Sequence, residues 1–91
     1  MELIKQHESY LIQGNLDNGW GINGYITLEA DESFSMNISI FVEDKLIGDF
    51  NYSKPVEGNI SMLYTIPEET REEIVTYANT IVDFVIEQFK K

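Results

Sequence analysis

Residues 20–64 alternate between apolar and polar side chains, and this pattern constrains the fold more than any other feature of the chain. Its clearest stretch places Trp20, Ile22 and Ile26 on one side of an extended backbone, and Asn23 and Tyr25 on the other. A β-strand has this period of two, because successive side chains point to opposite faces of a sheet. We therefore predict half-buried strands throughout this region.

Turn-forming residues divide the region into strands. Polar segments lie at 31–33, 43–44 and 54–58, and residues 15–19 are also rich in turn formers. Residues 10–13 are predicted to form a first strand ahead of that segment. The short connections predict a five-stranded antiparallel meander over about residues 9–65.

The period changes at Pro67, after which the apolar residues follow helical spacing. Pro67 suits a first helical position, Thr70 and Glu73 have the spacing of a capping box, and Lys90 and Lys91 would favour a helix C-terminus. A helix is therefore predicted over about residues 67–90, with one apolar stripe. The stripe consists of Ile74, Ala78, Ile81, Val82, Val85 and Phe89.

Together these elements predict an α+β fold in a single domain spanning residues 1–91. One C-terminal amphipathic helix would pack across one face of the five-stranded antiparallel sheet. The sheet residues predicted to form the core against it are Trp20, Ile22, Ile26, Leu28, Phe34, Met36, Ile38, Ile40, Phe50, Ile60 and Met62.

The charge of the chain excludes whole classes of partner. Sixteen Asp and Glu against six Lys and Arg give a formal charge of −10, so nucleic acid and anionic membranes would repel it. The absence of cysteine excludes disulfides and thiolate metal sites. The first residues lack the apolar run of a signal peptide, which favours a cytoplasmic protein without a membrane association.

Few residues offer catalytic chemistry. His7 is the only histidine and lies in a polar N-terminal segment, so no triad or histidine metal site can be assembled. Asn15, Asp17 and Asn18 resemble the start of a calcium loop, but Ile26 stands where the bidentate glutamate would be. We predict no enzyme activity, no cofactor and no metal.

The meander predicts where the acidic residues gather. The turns after the first and third strands and the entry into the helix should lie at one end of the sheet. The opposite end receives a positive charge from Lys54, so its negative charge is partly balanced. Such carboxylates can serve solubility and the helix dipole, or can dock on a basic partner protein such as a nucleic-acid-binding enzyme. The residues expected at this end are Asp17, Glu43, Asp44, Glu68, Glu69, Glu72 and Glu73.

The sheet face without the helix offers a second candidate surface. It is predicted to be mostly polar and neutral, with Tyr25, Phe41 and Ile47 as apolar exceptions. These residues either stabilise neighbouring strands or anchor a partner, including a second copy of the chain. The positions expected on this open face are Asn23, Tyr25, Thr27, Asn37, Ser39, Phe41, Ile47, Asp49 and Asn51.

A short, acidic, cysteine-free chain with one sheet and one helix resembles, in general character, accessory proteins of bacterial phages and mobile elements. Some of those proteins inhibit host defence nucleases by mimicking nucleic acid, and the resemblance includes no residue motif. The function expected first is a non-enzymatic inhibitor or mask of a basic partner. A structural homodimer using the open sheet face is the alternative, and a small-molecule sponge using Trp20 or the sheet aromatics as a stacking surface is a weaker one.

Overall fold

The computed structural model describes residues 1–5, 9–29 and 33–89, in which six antiparallel strands precede one α-helix. The strands lie in the sheet in the order of the sequence, so the predicted meander and the α+β class are confirmed. The elements are β1 (Glu2–Lys5), β2 (Ser9–Asn15), β3 (Gly21–Leu28), β4 (Phe34–Val42), β5 (Lys45–Lys54), β6 (Ser61–Thr65) and α1 (Arg71–Phe89).

The strand count is six rather than the predicted five, because β1 pairs with the strand predicted as first. Leu3 lies opposite Ile12 and packs against the core, whereas Ile4 lies opposite Leu11 on the open face. With apolar side chains on both faces, this short strand has no alternation to detect.

The core lies between the sheet and α1. All of the predicted helix stripe is buried except Phe89, which packs against the rings of Tyr10 (5.2 Å) and Phe34 (5.7 Å). Seven of the predicted sheet residues are buried, and Trp20 and Met62 pack against the core while partly exposed; the seven are Ile22, Ile26, Phe34, Met36, Ile38, Ile40 and Phe50.

Two predicted core residues are exposed instead. Ile60 precedes β6 and is 55% exposed, and Leu28 is 38% exposed at the last position of β3. Ile12, Leu16 and Tyr52 are buried in the same core although they were not among the predicted residues. The ends of strands are therefore where alternation overestimates burial.

A β-bulge in β5 changes which side chains face the helix. Ile40 pairs with Gly48 and Phe41 with Leu46, so β5 contains one more residue than β4 at this point. Leu46 is opposite Phe41 on the open face, and Ile47 packs against the core. The prediction that placed Ile47 on the open face was wrong because an extra residue changes the alternation locally.

Helix α1 begins later than predicted. Pro67 is extended (φ −68°, ψ 146°), and Glu68–Thr70 form a 3-10 turn before α1 begins at Arg71. The Thr70 side-chain oxygen accepts no hydrogen bond within the described part of the chain, so the predicted capping box does not form. Lys90 and Lys91 lie outside the described residues.

Gly24 marks a close approach between the backbones of β3 and β4. A Cβ atom there would overlap the carbonyl oxygen of Asn37 and lie 2.9 Å from the Cα of Ile38. Only glycine allows the two backbones to come this close.

Candidate functional site: the acidic end and the Trp20 cavity

The meander brings three connections that are distant in sequence to one end of the sheet. They are the β2–β3 loop at 16–20, the β4–β5 turn at Glu43 and Asp44, and the segment leading into α1. We call this end, with its seven carboxylates, the acidic end; the carboxylates are Asp17, Glu43, Asp44, Glu68, Glu69, Glu72 and Glu73. Lys45 and Arg71 are the basic side chains beside them.

The β4–β5 turn holds its two carboxylates in an unfavourable backbone conformation. Glu43 (φ 50°) and Asp44 (φ 67°) both lie in the left-handed region. Two-residue hairpins need this conformation, and Asn-Gly is the sequence that usually supplies it. A glutamate at the first position therefore reduces stability, and folding alone does not favour it.

Backbone hydrogen bonds shape the β2–β3 loop and set the position of Trp20. The Leu16 N–H donates to the Trp20 carbonyl (2.7 Å), and the Trp20 N–H donates to the Asn18 side-chain oxygen (3.0 Å). The Asn18 amide in turn donates to a Glu73 carboxylate oxygen (3.4 Å), which links this loop to the first turn of α1. Asp17, next to Asn18, is exposed at the same end.

The start of the helix carries four of the seven carboxylates. Glu68 and Glu69 lie in the 3-10 turn, and Glu72 and Glu73 in the first turn of α1, where the helix dipole favours negative charge. Arg71 is 3.6 Å from Glu68 in an exposed ion pair, which is worth little in water. Most of the negative charge at this end is therefore unneutralised.

A cavity of about 440 Å³ opens at the acidic end, between the β4–β5 turn and the start of the helix. Its apolar walls include Trp20, whose ring packs against Tyr77 with centroids 5.8 Å apart. Its charged lining comes from Glu43, Glu69 and Lys45. The remaining lining residues are Val42, Ile47, Pro67 and Thr70. We call this the Trp20 cavity.

The sequence predicted the carboxylates of this end but not the cavity. Ile47 reaches the wall because of the bulge, and Thr70 because a 3-10 turn replaces the first helical turn. The hydroxyl oxygen of Thr70 is itself buried from solvent and has no hydrogen-bond partner in the part of the chain described here. The consecutive apolar residues Leu46 and Ile47 were the one available signal of the bulge.

Tyr25 and Phe41, the two predicted aromatic anchors, are separated on the open face. Phe41 is half-buried and pairs with Leu46 two residues from Glu43, so it adjoins the acidic end. Tyr25 is 61% exposed and lies four residues along β3 from Gly21, the partner of Phe41, or roughly 13 Å away at about 3.3 Å per residue. A partner at the acidic end reaches Phe41 more readily than Tyr25.

One cross-strand row of the open face carries most of its apolar side chains. At one edge, Ile4, Leu11 and Tyr25 are successive partners on β1, β2 and β3, and Leu63 is 69% exposed at the other edge. Between them, the Asn37 amide donates to the Asn51 side-chain oxygen across β4 and β5 at 2.6 Å. Ile4, Leu11 and Leu63 were not among the residues predicted on this face from the sequence.

The described parts of the chain hold no metal site and no membrane-spanning helix. Residues 1–5, 9–29 and 33–89 contain no group of three or more side chains able to hold a metal ion, and no helix among them is long and apolar enough to cross a membrane. His7, Asp31 and Glu32 lie outside the described residues. No protein-family model, curated protein sequence or solved structure matches the chain.

Proposed function

We propose that this chain is a non-enzymatic binding protein that masks a basic surface of a partner protein, such as a nucleic-acid-binding enzyme, by docking its acidic end there. The observation that carries the proposal is the gathering of seven carboxylates from three separate connections at one end of the sheet. Spaced carboxylates can pair with the Lys and Arg side chains that otherwise hold nucleic-acid phosphates.

The β4–β5 turn supports a binding role beyond solubility. Exposed carboxylates would keep the chain soluble anywhere on its surface, whereas Glu43 and Asp44 occupy a turn that favours Asn-Gly. Phe41 and Leu46, the latter 53% exposed, lie beside that turn and would add apolar contact to the charged docking surface.

The test compares two variants with the same net charge. The first neutralises the acidic end (Glu43→Gln, Asp44→Asn, Glu68→Gln, Glu69→Gln). The control neutralises four carboxylates elsewhere (Glu29→Gln, Asp49→Asn, Glu57→Gln, Asp83→Asn). Each protein is immobilised and exposed to a bacterial lysate at low and high salt, and retained proteins are identified by mass spectrometry.

We expect a basic protein that is retained by the unmodified chain and the control, lost with the first variant, and released by salt. Added duplex DNA or RNA should compete with the immobilised chain for that protein. Equal loss of the retained protein with both variants would mean that binding depends on the total charge and not on the acidic end. Retention that neither salt nor nucleic acid changes would contradict masking.

A second candidate, self-association through the open face, is favoured by the neutrality of that face. The described positions there carry two charges, Glu2 and Asp49, in a chain of net charge −10, so a second copy meets least repulsion on this side. Six strands about 4.8 Å apart and on average about seven residues long offer roughly 700 Å², near the approximately 800 Å² per partner of stable interfaces.

Light scattering separates this second candidate from the first. A dimer that Tyr25→Asp converts to a monomer, while Val56→Asp on an exposed loop residue does not, would support self-association. Salt should strengthen such a dimer by screening repulsion, whereas it should weaken masking. A monomer at all salt concentrations would exclude the second candidate.

A further inference from the structure

We propose that the Trp20 cavity binds the side chain of an arginine presented by the masked partner, an inference that rests on the proposed function and names its central contact. The cavity combines apolar walls with carboxylates, and an arginine side chain combines an aliphatic stem with a cationic head. Its volume of about 440 Å³ lies within the range of ligand pockets.

The walls suit the stem and plane of arginine. Val42, Ile47 and Pro67 give the methylene groups an apolar contact. The Trp20 indole, which is partly buried and backed by Tyr77, offers a ring face over which a flat guanidinium can stack.

The polar groups suit the head. Glu43 and Glu69 come from opposite sides of the cavity, the β4–β5 turn and the 3-10 turn, and can accept from different N–H groups of one guanidinium. A guanidinium has five N–H donors in a planar fork and no acceptor, so it can bond two carboxylates on opposite sides of the cavity better than the compact ammonium group of lysine can.

Lys45 gives the proposal a test of opposite sign. Its exposed side chain also lines the cavity, and the ion pair found at this end, within the described residues, joins Arg71 to Glu68 instead. Because no carboxylate of the described residues forms a salt bridge with Lys45, its positive charge remains available to repel an incoming arginine. Lys45→Gln should strengthen binding about two- to five-fold, the size of one exposed charge interaction, and loss of folding cannot mimic a gain.

The experiment titrates the full chain with the peptide acetyl-Gly-Arg-Gly-amide and follows the indole N–H resonance of Trp20, the only tryptophan, by NMR. The matched peptides carry citrulline, which is neutral with almost the same shape, or lysine. A single side chain should bind with a dissociation constant in about the millimolar range. We expect the arginine peptide to shift the Trp20 resonance more strongly than either matched peptide.

Variants then assign the contact to the cavity. Glu43→Gln and Glu69→Gln should each weaken arginine binding about two- to five-fold, whereas Glu72→Gln, at the acidic end but outside the cavity lining, should leave it nearly unchanged.

Three results would overturn the cavity proposal: no Trp20 shift, equal binding of citrulline or lysine, or equal weakening by Glu72→Gln. None of them affects the comparison of charge variants in the lysate, which tests masking separately. Conversely, arginine binding in the cavity can be measured even if the acidic end retains no partner.

Discussion

The strained turn between β4 and β5 makes a quantitative prediction about Asp44. Asp44→Gly should be more stable than Asp44→Ala by about 1 kcal/mol. Both variants remove the same carboxylate, so the change in charge cancels between them. At φ 67° a side chain with a Cβ atom costs about 1–2 kcal/mol, and the greater freedom of glycine in the unfolded chain offsets about 0.4–1 kcal/mol of its advantage.

Thermal and urea denaturation, followed by circular dichroism at neutral pH, would measure the difference. For a domain of this size, about 1 kcal/mol corresponds to a Tm difference of about 4–8 °C. The difference in stability between Asp44→Gly and Asp44→Ala should be the same at low and high salt because its cause is steric. The matched control is Glu57, which lies outside the left-handed region; there alanine should be at least as stable as glycine. An Asp44→Ala variant as stable as Asp44→Gly would refute the reasoning.

Three further predictions concern packing, a buried hydroxyl and alkaline pH. Gly24→Ala should destabilise the fold by about 1–3 kcal/mol or more in urea denaturation, because the added Cβ would overlap the backbone of β4. In the same assay Gly21→Ala should be nearly neutral, because a Cβ there would lie 3.7 Å from its nearest neighbour. Thr70→Val should raise the urea midpoint, by about 1 kcal/mol of stability, because it removes a hydroxyl oxygen that lacks a partner within the described residues; an unchanged midpoint would contradict this. Burial, and secondarily the Asp83 carboxylate, raise the pKa of Tyr52 above its usual 10.0. The contribution of Tyr52 to the free energy of unfolding is therefore complete below pH 10.0 and is lost as the pH rises through the higher pKa of the folded state. The unfolding midpoint should therefore fall more steeply in alkali for the unmodified chain than for Tyr52→Phe.

The sequence predicted the strands because their burial pattern repeats. In β4, Phe34, Met36 and Ile38 are buried while Ser35 and Asn37 are exposed, which is the alternation of a sheet covered on one face. It did not predict β1, where Leu3 and Ile4 place apolar side chains on both faces. Local patterns find a strand only where the two faces meet different environments.

The candidate site was half predictable for a related reason. Which turns share an end of a meander follows from counting strands, and adding β1 before the others leaves that count unchanged for the β2–β3 and β4–β5 connections. The Trp20 cavity depends instead on the bulge that turns Ile47 inward and on the 3-10 turn that carries Thr70. A one-residue bulge and a short 3-10 turn depend on packing between distant segments, which the local apolar pattern does not encode.

The carboxylates of the acidic end do not support a binding function equally. Those at Glu68–Thr70 and in the first turn of α1 stabilise the fold through the helix dipole, so their presence is explained without a partner. Glu43 has no such benefit, since its left-handed turn position favours Asn, Asp or Gly. The buried Thr70 oxygen, which lacks a hydrogen-bond partner in the described chain, is a second local cost, and residue Thr70 lines the same cavity as Glu43. Local costs that coincide at one place are expected where sequence is selected for binding as well as folding, so Glu43 and the Trp20 cavity are stronger evidence for docking than the total charge is.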